Sequence, residues 1–553
     1  MRRKWTILGC SLLLAGLAGC SDCGRKDKTL AELIPADVPG AVLFPDLAQT
    51  VGDIGTLKKK FAVGPMASFI DQGHRELSRI LGFDPLAIED LRKLGLEPSR
   101  GLALAPVDEQ PVVLAGVSDR QALERELAAR MKQLAAAEQV SSASHDGQRV
   151  TTIAAKVGQQ TVPRLHYALV GDYALLTWGK SDPKLLARMA GLERGQSLAG
   201  AAWYEELTGK PSGQPDVLLV ANAPGPEVLG ARGKMIAEHV EHGLIWTFAF
   251  DPGGIDTQVY LGLAPKTAER LQALTAGVSD AHLERYLPAD TLLALKLRAN
   301  VDRLLEEAFG LQPDMRQQFD QAMQTAQRSV GADVEQGTVR NLTGNLVLGL
   351  SLGKPDQINH LLRQMADTPA GAPPATGGWQ AAFNLFGWTQ VRDAAAWIQV
   401  IQNTLGLAAE QSGVAVDERT VGKLRVFALT GPDAESTFYL LHHDALVGGC
   451  LGRGCADKAA ALVAGEAATL PGKASPASKR LFEEDSFAVG YLSWARVVEA
   501  LNALDASALG EGGMLAKMVL NLALTVVRNL EELTAVVRFV PGGVTLSSRL
   551  EIQ

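Results

Sequence analysis

Catalytic signatures are what this sequence most lacks. It holds no His-Glu-x-x-His helix for zinc, no Gly-x-Ser-x-Gly elbow and no Walker phosphate loop. Zinc hydrolysis, elbow-type esterase chemistry and P-loop phosphoryl transfer are therefore not expected. Basic excess is missing too: 53 Lys and Arg face 61 Asp and Glu. Without a basic stretch there is no nucleic-acid footprint, and no nucleic-acid partner is expected. Cysteine is scarce, with five in 553 residues, which excludes a disulfide-rich scaffold. Aromatics are sparse at 5%, and Trp178, Trp203, Trp246, Trp379, Trp388, Trp397 and Trp494 are scattered. Packing is the default reading for scattered tryptophans. No apolar run reaches the roughly 20 residues that a spanning helix needs. Even Met514 to Val527 is interrupted by Lys517 and reads as an amphipathic helix.

What is present begins at the N-terminus. Met1-Arg2-Arg3-Lys4 is positive, and Ile7 to Leu17 is apolar and uncharged. That is the pattern of a secretory signal. It ends in Leu17-Ala18-Gly19-Cys20, which resembles the lipobox of bacterial lipoproteins. The resemblance implies cleavage after residue 19, and acyl chains on Cys20 sufficient for stable anchoring. Residues 1–19 are then the signal peptide and 20–29 a lipid-anchored tether reaching roughly 30 Å if extended. Ser21, not aspartate, follows the cysteine, which in such proteins favours the outer membrane of the cell envelope. The first 19 residues carry three basic and no acidic groups, so the remainder holds 50 basic against 61 acidic residues, a balance of −11.

The body is self-similar. LAELIPAD (30–37) matches LERYLPAD (283–290), each leading into an apolar strand and a helix. HYALVGDYALLTWGKSDPKLLARMAG (166–191) parallels FYLLHHDALVGGCLGRGCADKAAALVAG (438–465). WTFAFDPGGIDTQVYLGL (246–263) parallels TAVVRFVPGGVTLSSRLEI (534–552), both hairpins about a Pro-Gly-Gly turn. The sequence thus predicts two copies of one unit, 30–280 and 281–553. Frequent tight turns require antiparallel neighbours. The expected fold class is α+β: two tandem copies of a mostly antiparallel sheet with helices packed on one face. Residues 367–378 and 471–479, rich in Pro and Gly, read as flexible surface loops. The texture of Pro-Ala-Asp, strand, helix, and strand-Gly-Asp-strand units resembles an uncharacterised family of bacterial envelope proteins, which implies no activity.

Candidate sites are few. Cys450 and Cys455 are close in sequence and lie in a chain expected to be exported, so a disulfide is one reading and two small buried residues another. Together with His442 and His443 they have the composition of a zinc site. Against this, adjacent strand residues point to opposite faces, so both imidazoles cannot easily share one ion. His239 and His242, with Glu238 and Glu241, read as part of a helix, where that spacing sets both imidazoles on one face as a weak metal candidate. The acid pairs Glu205-Glu206, Glu306-Glu307 and Glu483-Glu484 read as surface. No catalytic residue, metal or cofactor is assigned. Three functions compete: non-catalytic binding or assembly with an envelope partner, carriage of a lipid or other hydrophobic ligand, and a hydrolase whose site is assembled from distant residues.

Overall fold

In a computed structural model, the described residues are 28–61, 75, 87–135, 137–179, 181–209, 214–222, 238–367, 380, 382–431, 437–452, 454–505 and 513–553. The lipobox, Cys20, the tether up to residue 27, and nearly all of the 367–378 segment lie outside them. The strands are β1 (Gly40–Phe44), β2 (Leu102–Val107), β3 (Gln110–Gly116), β4 (Ala137–His145), β5 (Gln148–Val157), β6 (Gln160–Val170), β7 (Tyr173–Trp178), β8 (Val217–Ala221), β9 (Val240–Asp251) and β10 (Gly254–Leu263). They continue with β11 (Thr291–Arg298), β12 (Leu342–Leu352), β13 (Phe383–Val391), β14 (Ala415–Val421), β15 (Leu424–Thr430), β16 (Thr437–His443), β17 (Leu446–Leu451), β18 (Ala488–Ser493), β19 (Leu530–Val540) and β20 (Gly543–Ile552).

The chain divides into two compact units. One contains the described residues up to Ala48 and from 87 to Glu205; the other contains those from Gln49 to Phe61 and from Glu206 to Gln553. In the first, the antiparallel order is β1–β2–β3–β7–β6–β5–β4. The helix Arg120–Ala135 covers part of this sheet with Leu123, Leu127 and Met131, which fall on one face at four-residue spacing. They pack on Ile153, Leu165 and Tyr167. That helix starts at a cap, with the Asp119 carboxylate accepting from the Ala122 amide at 3.0 Å.

In the second unit the order is β8–β9–β10–β20–β19–β18–β11–β12–β13–β17–β16–β15–β14, again antiparallel. The run β11–β12–β13–β17–β16–β15–β14 repeats the order of the whole first-unit sheet, strand for strand. The run β18–β19–β20 repeats β8–β9–β10. The α+β class and the two copies are thus visible as topology.

One part of that expectation is corrected. The copies do not each keep a separate sheet, because β10 and β20 pair from Gly254↔Glu551 to Gly262↔Gly543. Each copy ends in an edge strand with unpaired amides and carbonyls, and edge-to-edge pairing satisfies both. The register is symmetric. Gln258 and Ser547 are each the fourth residue beyond Gly254 and Gly543, and they face one another. Equivalent positions meeting at the centre is the arrangement of an isologous two-fold contact.

The core of the second copy lies on one face of β11–β13, β17 and β18. Ala294, Val347, Phe386, Trp388, Cys450 and Val489 point into it. The helix Cys455–Ala464 and the helices Leu470–Lys473 and Pro476–Glu483 close it. These last two correct the reading of 471–479 as a loop. Pro471 and Pro476 open the helices, and the Ser475 hydroxyl accepts from the Ser478 amide at 3.1 Å. Proline at a first turn costs no hydrogen bond, so Pro-rich composition marked helix starts here.

Candidate functional site

The opposite face of the same strands is open and apolar. Along β11 the side chains alternate, with Ala294 and Lys296 inward and Leu293 and Leu295 outward. On β12 Val347 points in and Leu348 out; on β13 Phe386 points in and Leu385 out. Leu293, Leu295, Leu348, Leu385 and Phe438 are between 37% and 49% exposed. They stand in register. One row runs Leu295–Leu348–Gly387–Gly449–Leu440, and the next Leu293–Leu350–Leu385–Leu451–Phe438.

Two facing glycines, Gly387 and Gly449, make the floor of a groove. A Cβ at Gly449 would lie 2.7 Å from the Phe438 ring, and one at Gly387 3.1 Å from Leu348. The absence of side chains there lets those neighbours lean across the sheet. The groove holds about 350 Å³ and is walled by Leu346, Leu348, Leu385, Phe438, Leu440 and Leu451. The helix Ala394–Ser412 borders it, bringing Trp397, Ile398 and Ile401 against Leu440 and His442. Buried parallel strands are apolar on both faces, but antiparallel ones with a solvated face normally alternate. The pattern is in the sequence: LVLGLSL in β12 sets four leucines on one face and Val347, Gly349 and Ser351 on the other, and it is the leucine face that stays open.

A second concavity, of about 620 Å³, sits at the Pro288-Ala289-Asp290 motif. Its walls are mixed. Asp290 pairs with Lys458 at 2.6 Å, and Arg496 donates to the carbonyl of Ala289 at 2.7 Å. These contacts tie the start of β11 to the helices Cys455–Ala464 and Trp494–Asn502.

Cys450 and Cys455 are joined by a disulfide, with Cα atoms 6.0 Å apart. It clamps the end of β17 to the helix that follows, and both sulfurs are withdrawn from the zinc set considered with His442 and His443. His442 sits at the edge of the apolar face, where burial pushes its pKa down. The helical reading of His239 and His242 is corrected. His239 lies in a turn and residue 242 in β9, so the spacing loses its one-face meaning. The ring of His239 bonds Thr267 at 3.0 Å. Among the acid pairs, Glu307 is bound by Arg270 and Glu484 by Arg538. Trp388 is fully buried, whereas Trp178 and Trp246 are exposed, against the packing expected of them.

Asp280, His282 and Glu284 converge closely enough to suggest a cation site, a cluster the sequence reading missed. The cation is supplied by the protein. Lys296, 4% exposed, places its ammonium 2.5 Å from Asp280, 3.1 Å from Glu284 and 2.9 Å from the carbonyl of Phe482. Burial pushes the Asp280 carboxyl up, but bonds from Lys296 and the His282 amide outweigh it and hold the pKa below its usual value.

Among the described residues, no helix is long and apolar enough to cross a membrane. No protein-family model matches the sequence, and no curated protein matches it. A solved structure, crystal form IV of TP0453, is similar at 12% identity over 46% of this chain and 89% of that one, with a TM-score of 0.25. A likeness that loose carries no conclusion about this chain.

Proposed function

We propose that this protein is a bacterial envelope lipoprotein, anchored through lipid on Cys20 at the outer membrane, whose duplicated α+β body acts by non-catalytic binding. The observation that supports binding is the open face of the second copy, where leucines and Phe438 stand in register around a glycine floor. Contiguous exposed apolar surface of this kind marks interaction sites on proteins otherwise free to bury it. The groove also favours carriage of a hydrophobic ligand, because about 350 Å³ falls within the range of small-molecule sites.

One preparation tests both halves. The protein is recovered from solubilised envelopes, and its N-terminal peptide and co-purifying molecules are identified by mass spectrometry. An acylated Cys20, with membrane release by Cys20→Ser, is the expected anchor result. A neutral fluorescent apolar probe is expected to bind the purified chain, and Leu385→Ser with Phe438→Ser to weaken it at least about tenfold. Unchanged probe binding by that double variant would sink the assignment of the groove. Lipid released on denaturation favours the carrier reading; a stoichiometric protein favours assembly.

A further inference from the structure

The helix Gly513–Val527 is turned inside out for water. Its sequence, GMLAKMVLNLALTVV, has one charge, Lys517. That charge faces inward. Its ammonium donates to the carbonyls of Leu501, Asn502 and Leu504 at 3.1, 2.9 and 2.7 Å, at the C-terminal end of the helix Trp494–Asn502. Cations suit that position, where carbonyls lack helical partners. Leu524, two turns further along, is buried. Outward stand Met514, Leu515, Met518 and Val519, between 58% and 83% exposed. Met518 lies four residues from Met514 and three from Leu515, and Val519 four from Leu515, so the four side chains form one continuous ridge. Hydrophobic burial would place these four inside and Lys517 outside, yet the fold does the reverse.

We propose that this ridge rests on the surface of the lipid bilayer that anchors the chain. The inference relies on the lipoprotein reading for its distance. A modified Cys20 leaves residues 20–27 before Lys28, a covalent reach of no more than about 30 Å, so the unit that begins there is held near its membrane and the rest of the chain is kept at high local concentration beside it. The chemistry of the ridge selects lipid over protein. The energetic centres of protein interfaces are enriched in Trp, Tyr and Arg, and the ridge has none of these. The ridge offers two methionines, a leucine and a valine, with the uncharged Asn521 at its border, which suits an interfacial helix sunk a few ångströms into the acyl boundary. The absence of an outward charge, on a chain of net −11 after the signal, means that burial and not electrostatic attraction drives the contact.

The test uses the mature chain, complete except for Cys20→Ser, mixed with phosphatidylcholine vesicles and floated on a density gradient. The protein is expected to float with neutral vesicles, with little change between about 0.05 and about 0.5 M salt. Met514→Ser with Leu515→Ser and Met518→Ser is expected to lower the bound fraction at least about tenfold while circular dichroism stays the same. Met518→Trp on the otherwise intact chain is expected to add emission that shifts to the blue with vesicles, a readout that does not depend on the triple variant folding. Equal flotation of the triple variant, or no shift at Met518→Trp, overturns the proposal. So does a sedimentation change from dimer to monomer in the triple variant, which would give the ridge to a second copy. The anchor is scored separately, by the mass of the N-terminal peptide from cells. A ridge that floats beside an unacylated Cys20 keeps the lipid-binding face and removes the lipoprotein reading; an acylated Cys20 with an inert ridge does the opposite.

Discussion

Lys296 shows how much one side chain can decide. Its ammonium is shared by two carboxylates and a carbonyl in the wall of the second copy's core. Its bond to Asp280 helps to hold that carboxyl below its usual pKa. Replacing Lys296 with methionine keeps the volume of the stem but leaves Asp280 and Glu284 without a cation. Removing one partner of a buried pair costs about 3–5 kcal/mol. Urea unfolding should show a loss of that order for Lys296→Met, and a loss under about 1 kcal/mol would mean that water replaces the ammonium. LLALKLR does not say which groups meet the lysine. The strand period does place Lys296 on the same face as Ala294, and a lysine on a core-facing position is a readable anomaly.

At the scale of elements, turn chemistry was legible and orientation was not. The Pro-Gly-Gly turns were expected, and β9–β10 and β19–β20 are the hairpins they join. The long helix Ala394–Ser412 is held at its start by Asp393, whose carboxylate accepts from the amides of Ala395 and Ala396 at 2.9 and 3.0 Å. Asp393→Ala should lower stability by about 1 kcal/mol, seen as a lower urea midpoint with an unchanged slope. A neutral result would show that the Asn341 side chain, which bonds the Asp393 backbone at both ends, holds the turn alone. The helix Gly513–Val527 was expected as amphipathic, and the helix is there. Its polar side faces the protein because the carbonyls it answers belong to another helix, a partner no local pattern contains.

At the scale of the molecule, the two copies meet in the second unit along β10 and β20, and Arg549 secures that seam. Its guanidinium, 8% exposed, reaches Asp251 and Asp256 across the seam at 2.5 and 2.7 Å and Glu551 at 3.2 Å. The hydrogen bond from Arg549 is the largest influence on Asp251 and holds its carboxyl below the usual range, against the opposing effect of burial. A carboxylate whose folded pKa lies below its unfolded value stabilises the fold above the unfolded value, near pH 4, and loses that contribution as pH falls through the folded pKa. Arg549→Met should therefore be less stable than the parent at pH 7. The gap should narrow between about pH 4 and pH 2 as Asp251 protonates in both. A gap independent of pH, in denaturant titrations across that range, would show that packing and not charge is what Arg549 supplies.

The sequence by itself determined the copies and the α+β class, because these rest on local order: landmarks in series and turns of two or three residues. It placed Cys450 and Cys455 within reach of each other for the same reason. Only the tertiary structure decided what faces what. It joined β10 to β20, gave Asp280 and Glu284 their cation, left Leu385 and Phe438 in the open and turned Met514 and Met518 outward. Hydrophobic burial is non-directional and sums over the whole chain. A leucine carries the same pattern whether its strand is covered on one side or two, and only the folded neighbours settle which side stays exposed.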